Sequence, residues 1–463
     1  MTDEHVLRTS VGRDLLDLFD RLTRKLPWRL NTRPFPVIVL EPEGTTTDTG
    51  AYLKALEGAA DKAAIPYISP ELGSEAAEPA PSAITLLETM AQRRTWSGRR
   101  SHLGDFRFPR SELVASFERA VPDIPEGEAG PAPHERSTAA TAAWNDQAHL
   151  FPWRGRRARV PAWWAPVILF VASLLGGIGG ALAEQTPRLI LLAIAAGLIA
   201  LLLVVLALTT RPIWLWLATR LPFGSRYRWF ATSSFFAVLG GDGFDGRLRR
   251  VFDQLVIDEK AEFRLQMKTF AFLEDLRDNY RKKSLSLRGF KRSVPPVVFL
   301  RGITASNGGV ELLSAMSDIR SRRSELHPLL VVASVDSAHH EDLAELLTMR
   351  EPPPSAGESG ESLLQLFERW TGRLGTTQAP SQHVAHPWLL RLPIRHDPAD
   401  EGPDPTLAYR HRPRWTWVWS LRGLAATVVV LTLVAGYAHK HLRATYCRVG
   451  IIPVSWNSDT RWR

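Results

Sequence analysis

Apolar and polar positions follow two different rhythms along this chain. Leucines and phenylalanines recur at helical spacing among charged residues, for example over 11–26 and 248–283. Between such segments stand short unbroken apolar runs rich in valine, isoleucine and leucine. These runs lie at 37–40, 65–68, 296–300 and 328–334. Unbroken apolar strands that alternate with helices are typical of a parallel sheet covered on both faces, so the pattern predicts an α/β fold.

The four predicted strands fall into two groups that are far apart in sequence. The first two precede residue 70 and the last two follow residue 290, with a further apolar piece at 388–394. Neither group has enough strands to form a comfortable sheet alone. We therefore interpret them as one sheet split by an insertion, and the alternative is two separate small units.

Three longer apolar runs, at 160–183, 189–209 and 417–438, predict transmembrane helices, which need about 20 residues each. The first two are joined by a very short connection and form a predicted hairpin. Arginines flank the hairpin on both sides, and the positive-inside rule places both flanks in the cytoplasm. The third span then has to exit, which leaves the tail at 439–463 extracellular.

Composition refines this picture in three ways. The formal net charge of +9 would permit nucleic acid as a partner, but the arginines cluster beside the apolar runs, so we expect a lipid bilayer and no nucleic acid. The single cysteine, Cys447, excludes an intramolecular disulfide. The first 30 residues contain no continuous apolar core of a secretory signal, so the N-terminus is expected in the cytoplasm.

These observations predict a multi-pass cell-membrane protein with seven parts. Residues 122–159 are rich in Pro, Gly, Glu and Ser without periodicity, which predicts a flexible linker. The parts are the first half of the α/β domain at 1–121, the linker at 122–159, the hairpin at 160–210, the second half at 211–396, a juxtamembrane linker at 397–416, the third span at 417–438 and the exported tail at 439–463.

The most informative local feature is the loop after the first strand. Strand, short loop and helix is the context of the phosphate-binding motif G-x-x-x-x-G-K-[ST]. Here Pro42 and Thr47 stand at the two glycines, Asp48 stands at the lysine, and only Thr49 agrees, with Gly44 the one glycine inside the loop. Pro42 removes a backbone donor and Asp48 repels phosphate, so the loop is predicted to be a degenerate nucleotide site.

The order of this loop, the strands and the inserted hairpin resembles a P-loop NTPase of the STAND or AAA-like kind. More narrowly, it resembles a group of actinobacterial membrane proteins in which an NTPase-like region is interrupted by a helix pair and followed by a further span. The resemblance implies a second, acidic motif at the end of the strand near 297, holding Mg²⁺. Arg301 stands there instead. The two charge reversals suggest the hypothesis that Asp48 and Arg301 pair with each other.

Other clusters of metal-ligating residue types have ordinary explanations. Adjacent residues in His339-His340-Glu341-Asp342 point in different directions and predict a solvated helix start. The loop at 240–246 alternates Asp and Gly but lacks the downstream Glu of a calcium loop, which favours a turn between helices. We expect no metal site and no catalytic residues.

The function expected from the sequence is a non-enzymatic interaction or signalling module, tethered to the membrane, with an unidentified cytoplasmic protein or a second copy of the chain as its partner. No cofactor is expected. One alternative is a divergent but active ATP-binding NTPase or nucleotide sensor that uses ATP and Mg²⁺. A second alternative is the truncated sensor component of a solute-binding or transport system, since some proteins of the resembled group continue into an extracellular binding domain.

Overall fold

A single parallel sheet forms the centre of the protein. The computed structural model describes residues 7, 9–24, 34–43, 47–73, 78–92, 95–97, 106–121, 132–148, 225–258, 261–280, 294–322, 326–335, 362–376, 387–394 and 432. The sheet strands are β1 (Val37–Pro42), β2 (Tyr67–Ile68), β3 (Val297–Ile303), β4 (Leu330–Val335) and β5 (Leu389–Ile394).

The strand order is β2-β3-β4-β1-β5, and every neighbouring pair is parallel. Strand β1 lies between β4 and β5, with Val37 opposite Val331 on one side and Leu389 on the other. Strands from both ends of the sequence therefore share one sheet. The prediction of a single split sheet is confirmed, and the alternative of two separate units is wrong.

Helices cover both faces of this sheet. In chain order they are α1 (Ser10–Thr23), α2 (Thr49–Lys62), α3 (Pro79–Met90), α4 (Pro109–Glu118), α5 (Pro133–Ala148), α6 (Ser225–Thr232), α7 (Ser234–Ala237), α8 (Gly243–Ile257), α9 (Glu262–Tyr280), α10 (Gly309–Ser321) and α11 (Leu363–Thr376).

Alternate residues of each strand point into two different cores. In β1, Ile38 and Leu40 pack with α1, α2 and α11. Val37 and Val39 instead contribute to a larger core with α3, α4 and the helices α6 to α10. Because side chains on a strand alternate between faces, a strand covered on both sides needs apolar residues at every position. This explains why the strand segments are unbroken apolar runs.

The predicted flexible linker at 122–159 needs a correction, because it contains helix α5. The sequence from Pro133 is rich in alanine, the best helix former, and proline is favoured at the first helical position. Ala140 and Trp144 of α5 are buried in the larger core. The missing periodicity misled the prediction because only a narrow face of this helix is apolar.

Among the helices that the structure describes, none combines the length and apolar composition needed to cross a bilayer. Several predicted segments lie outside the described residues, apart from residue 432 in the third span. They are the three predicted spans, the juxtamembrane linker, the exported tail with Cys447 and the segment His339-His340-Glu341-Asp342. Of the predicted turn at 240–246, residues 240–242 form the turn and 243–246 are the first residues of α8, with positive φ at Gly240, Gly241 and Gly243.

Candidate functional site: the carboxyl edge of the sheet

The degenerate loop lies at the carboxyl end of β1, directly before the N-terminus of α2. Asp48 is the N-cap of this helix, and its Oδ1 accepts a hydrogen bond from the backbone N–H of Ala51 at 3.1 Å. The first turn of a helix offers unpaired N–H groups and the positive end of the helix dipole, which is why helix N-termini bind phosphate. In this chain a carboxylate of the protein itself takes that place.

Thr49, the one residue that agrees with the motif, is used to hold two elements together. Its side-chain hydroxyl donates to the backbone carbonyl of Val335 at 2.6 Å, and the residue is only 3% exposed. Val335 is the last residue of β4. The hydroxyl therefore joins the start of α2 to the end of a neighbouring strand.

The remaining described residues of the loop also bond to the protein itself. The hydroxyl of Thr47 donates to the carbonyl of Glu43 at 3.2 Å, and the N–H of Glu43 donates to the carbonyl of Ile394 at 2.9 Å. Pro42 ends β1 opposite Ile394 in the register with β5. Gly44 lies outside the described residues.

Arg301 does not pair with Asp48, so that hypothesis is wrong. The Arg301 guanidinium forms an ion pair with Glu57, on the third turn of α2, and 45% of the arginine side chain remains exposed. Arg301 follows the fully buried part of β3, where the strand becomes irregular between Leu300 and Ile303. Because side chains alternate along a strand, Arg301 lies on the same face as Phe299, the face that α2 covers, and there it pairs with Glu57.

The loop after β3 is closed by one asparagine. Asn307 Oδ1 accepts from the N–H groups of Thr304 at 3.0 Å and Gly309 at 3.1 Å, while its Nδ2 donates to the carbonyl of Gly302 at 2.8 Å. The next residue, Gly308, has φ +77°, and a Cβ there would lie 2.4 Å from the backbone nitrogen of Ala83 in α3. Only glycine fits this conformation and this close approach. The loop is thus fixed in shape and packed onto α3.

A last hydrogen bond joins β3 to β4 at this edge, where the N–H of Gly302 donates to the hydroxyl of Ser334 at 3.1 Å. The hydrogen bonds described so far at this edge come from hydroxyls, one amide and the Asp48 carboxylate, and they fix the loops to β3, β4 and α2. Arg301 and Glu57 add an ion pair in which the glutamate is largely buried. The described residues contain no group of three or more metal-ligating side chains. The arrangement is suited to holding loops in place rather than to moving protons or phosphoryl groups.

One charged pair at this edge was missed from the sequence. Glu41, near the end of β1, and Arg391 of β5 form a buried two-pronged ion pair, in which Arg391 NH2 donates to Glu41 Oε2 at 2.7 Å. Both side chains are less than a tenth exposed. A single acid and a single arginine inside otherwise apolar strand segments was the available signal, because a buried charge in a strand requires a partner.

No family model, curated protein or solved structure matches this chain. Function is therefore inferred from the fold and from the contacts described above.

Proposed function

We propose that this protein is a membrane-tethered interaction or signalling module, built on a P-loop NTPase-like α/β domain that has lost its nucleotide chemistry. The observation that carries this proposal is the position of Asp48. Its carboxylate caps the helix start at which the family motif would bind phosphate.

A nucleotide would have to displace or approach that carboxylate. Two anions at one helix start repel each other, and the internal anion loses no translational freedom when it binds, unlike a free ligand. Thr49 is 3% exposed and its hydroxyl donates to the Val335 carbonyl, so this residue has a structural use in the chain itself. With Arg301 bound to Glu57, the second motif position carries a cation where the resemblance requires a metal-binding acid.

The contacts around 149–224 support the membrane hairpin. Helix α5 precedes this segment and α6 follows it, and residues from both pack on one phenylalanine. The ring of Trp144 in α5 lies 5.9 Å from that of Phe244, and the ring of Tyr227 in α6 lies 6.2 Å from it. A hairpin of two antiparallel spans returns to its starting side, so its two ends have to be close together, as these are.

Nucleotide binding to the purified full-length protein tests the proposal. We expect labelled ATP with Mg²⁺ to bind no more tightly than a Kd of about 1 mM, or about −4 kcal/mol. Asp48→Asn is the matched control, because asparagine caps a helix nearly as well but carries no charge. If the charge is what excludes phosphate, this variant should bind ATP more tightly than the wild type. Tight Mg²⁺-dependent binding by the wild type, lost in Thr49→Ala, would support the ATPase alternative instead.

The tether is tested separately through Cys447, the single cysteine. A membrane-impermeant maleimide applied to intact cells should label this residue if the tail is extracellular. A second variant, Cys447→Ser with Ser321→Cys, moves the thiol to an exposed position at the end of α10 and should be protected until the cells are lysed. Labelling of the second variant in intact cells would contradict the proposed orientation.

A further inference from the structure

A network of buried charged groups, here called the charged network, crosses the helical layer on the larger core, remote from the carboxyl edge. Its centre is Asp275 of α9, whose side chain is fully buried; burial raises the pKa of this carboxyl to about 7, against the opposing effect of Arg110. Asp275 accepts hydrogen bonds from the backbone N–H groups of Arg110 and Ser111, at 3.0 and 2.9 Å, and from the Arg110 guanidinium at 3.2 Å. It thus caps α4 from another helix, since the N-cap of α4 makes no side-chain cap of its own.

The outer end of the charged network contacts the helix that follows the predicted hairpin. The Arg110 guanidinium, which also binds Asp278 at 2.5 Å, lies 5.5 Å from the ring centre of Trp229 in α6. Trp229 in turn stacks on Phe270 of α9 with ring centres 5.2 Å apart. A displacement of α6 would therefore be felt at Arg110 and along α9.

The inner end of the charged network lies at the amino edge of the sheet. Arg320 of α10 is 1% exposed and donates to the carbonyls of Phe35 at 2.8 Å and Leu329 at 2.9 Å, just before β1 and β4. Its guanidinium lies 5.8 Å from the ring of Trp388, just before β5. Burial lowers the pKa of Arg320 to about 10, which leaves it a cation at neutral pH.

His327 connects the two ends. Its side chain is fully buried, and its Nε2 lies 3.6 Å from Glu274 Oε1, beyond hydrogen-bond distance. Glu274 also lies 3.3 Å from Arg277 on the same helix, and its backbone carbonyl accepts from Arg110 at 3.1 Å. Neither ring nitrogen of His327 has a hydrogen-bond partner in the described part of the chain. When such a buried imidazole gains a proton, both ring nitrogens become donors, which favours a hydrogen bond to a nearby acceptor.

We propose that protonation of His327 couples the amino edge of the sheet to the helices beside the predicted hairpin. The charged groups that face it are Glu274 and Arg277 from α9 and Arg320 from α10. Burial lowers the pKa of His327. The positive charges of Arg320 and Arg277 lower this pKa further, whereas Glu274 raises it. The ring is therefore neutral at pH 7 and takes up a proton from solvent only below its ordinary value of 6.5.

The two protonation states favour two different arrangements. With a neutral ring, Glu274 binds Arg277 at 3.3 Å. With a charged ring, His327 donates to Glu274, competes with Arg277 for the carboxylate and repels Arg320. Because Glu274 and Asp275 are consecutive on α9, a shift at the first changes the position of the second against Arg110. This coupling goes beyond the proposed function and does not depend on whether a nucleotide binds.

Hydrogen exchange measured by mass spectrometry on the full-length protein in lipid nanodiscs tests this inference. Exchange is compared at about pH 7.5 and at a series of values stepped down from about pH 6.5, because the pKa of His327 lies below its ordinary value of 6.5. The rates are normalised to the intrinsic rates of unstructured peptides. We expect protection of residues 225–237 to fall at the lower pH by about fivefold or more, the lower end of ordinary coupling between sites. In His327→Gln this change should be absent.

Three further variants distinguish an effect of His327 protonation from a general loss of stability. His134→Gln replaces an exposed histidine on α5 and should keep the wild-type pH response. Met316→Ala destabilises α10 through a buried apolar residue and should also keep it. Glu274→Gln removes the partner of the charged ring and should abolish the response, which covers the case that His327→Gln fails to fold. A wild type without a pH response at 225–237, or a folded His327→Gln that keeps it, would overturn the inference.

Discussion

The two edges of the sheet use polar side chains in opposite ways. At the carboxyl edge, Thr49, Ser334 and Asn307 make short neutral hydrogen bonds, and Arg301 pairs with Glu57 near the surface. At the amino edge, Arg320 and His327 are buried charged or chargeable groups. Ligands of open α/β sheets bind outside the carboxyl ends of the strands. In this protein the described residues of that edge bond mainly to one another, and its buried charges, Glu41 and Arg391, form a matched pair. At the opposite edge the buried Arg320 has neutral carbonyls as partners, and the buried His327 has no hydrogen-bond partner among the described residues.

If this contrast is real, substitutions at the amino edge should cost far more stability than substitutions at the carboxyl edge. Arg320→Ala removes the donors of two buried carbonyls and leaves a cavity. We expect a loss of about 3–5 kcal/mol in the free energy of unfolding, measured by chemical denaturation of the purified protein. Arg322→Ala, at the exposed end of the same helix, is the matched control and should change stability by less than about 0.5 kcal/mol. Equal effects of the two variants would remove the contrast.

The buried pair in the helical layer should rank second. Asp275→Asn keeps an acceptor for α4 but removes the charge that faces Arg110. We expect a loss of about 1.5–3 kcal/mol in the same denaturation experiment, the range for hydrogen bonds to charged groups. Asp253→Asn removes a partly exposed acid whose partner Arg250 is 3.8 Å away, and should have almost no effect. A loss as small as that of the control would show that the Asp275 charge contributes nothing.

The sequence predicted the sheet better than it predicted the charges. The runs that became β1, β3 and β4 were recognisable because a strand buried on both faces is apolar at every position. Helix α5 was missed because it has only a narrow apolar face. The edge strand β5 was recognised only as an apolar piece, since Arg391 interrupts it.

The candidate site was predicted in its location but not in its contacts. The loop at Asp48 does lie between β1 and α2, as the spacing implied. The partner of Arg301 depends on which turn of α2 passes the end of β3, and local sequence contains no information on that packing. Arg320 could not be distinguished from its neighbours Arg322 and Arg323, because helical spacing alone does not show which arginine is buried.

Among the neutral contacts of the carboxyl edge, the hydrogen bond of Thr49 to Val335 should matter most. Thr49→Val keeps the shape of the side chain but leaves the buried Val335 carbonyl without its donor. We expect a loss of about 1–2 kcal/mol in the free energy of unfolding. Thr49→Ser retains the hydroxyl and should lose clearly less. If valine is tolerated as well as serine, the hydroxyl does not hold α2 to β4, and its retention in the motif would need another explanation.

The smallest predicted effect decides what Asp48 contributes. As an exposed N-cap it should be worth about 1 kcal/mol, so Asp48→Ala should lower the free energy of unfolding by that amount and Asp48→Asn by only a few tenths. Asp48→Lys loses the cap and also places a cation at the positive end of α2, so its melting temperature should fall below that of Asp48→Ala. An ion pair with Arg301 would predict something different, because alanine and asparagine would then be equally harmful. Since Arg301 binds Glu57, we expect asparagine to be tolerated, and a double substitution with Arg301→Ala to be additive.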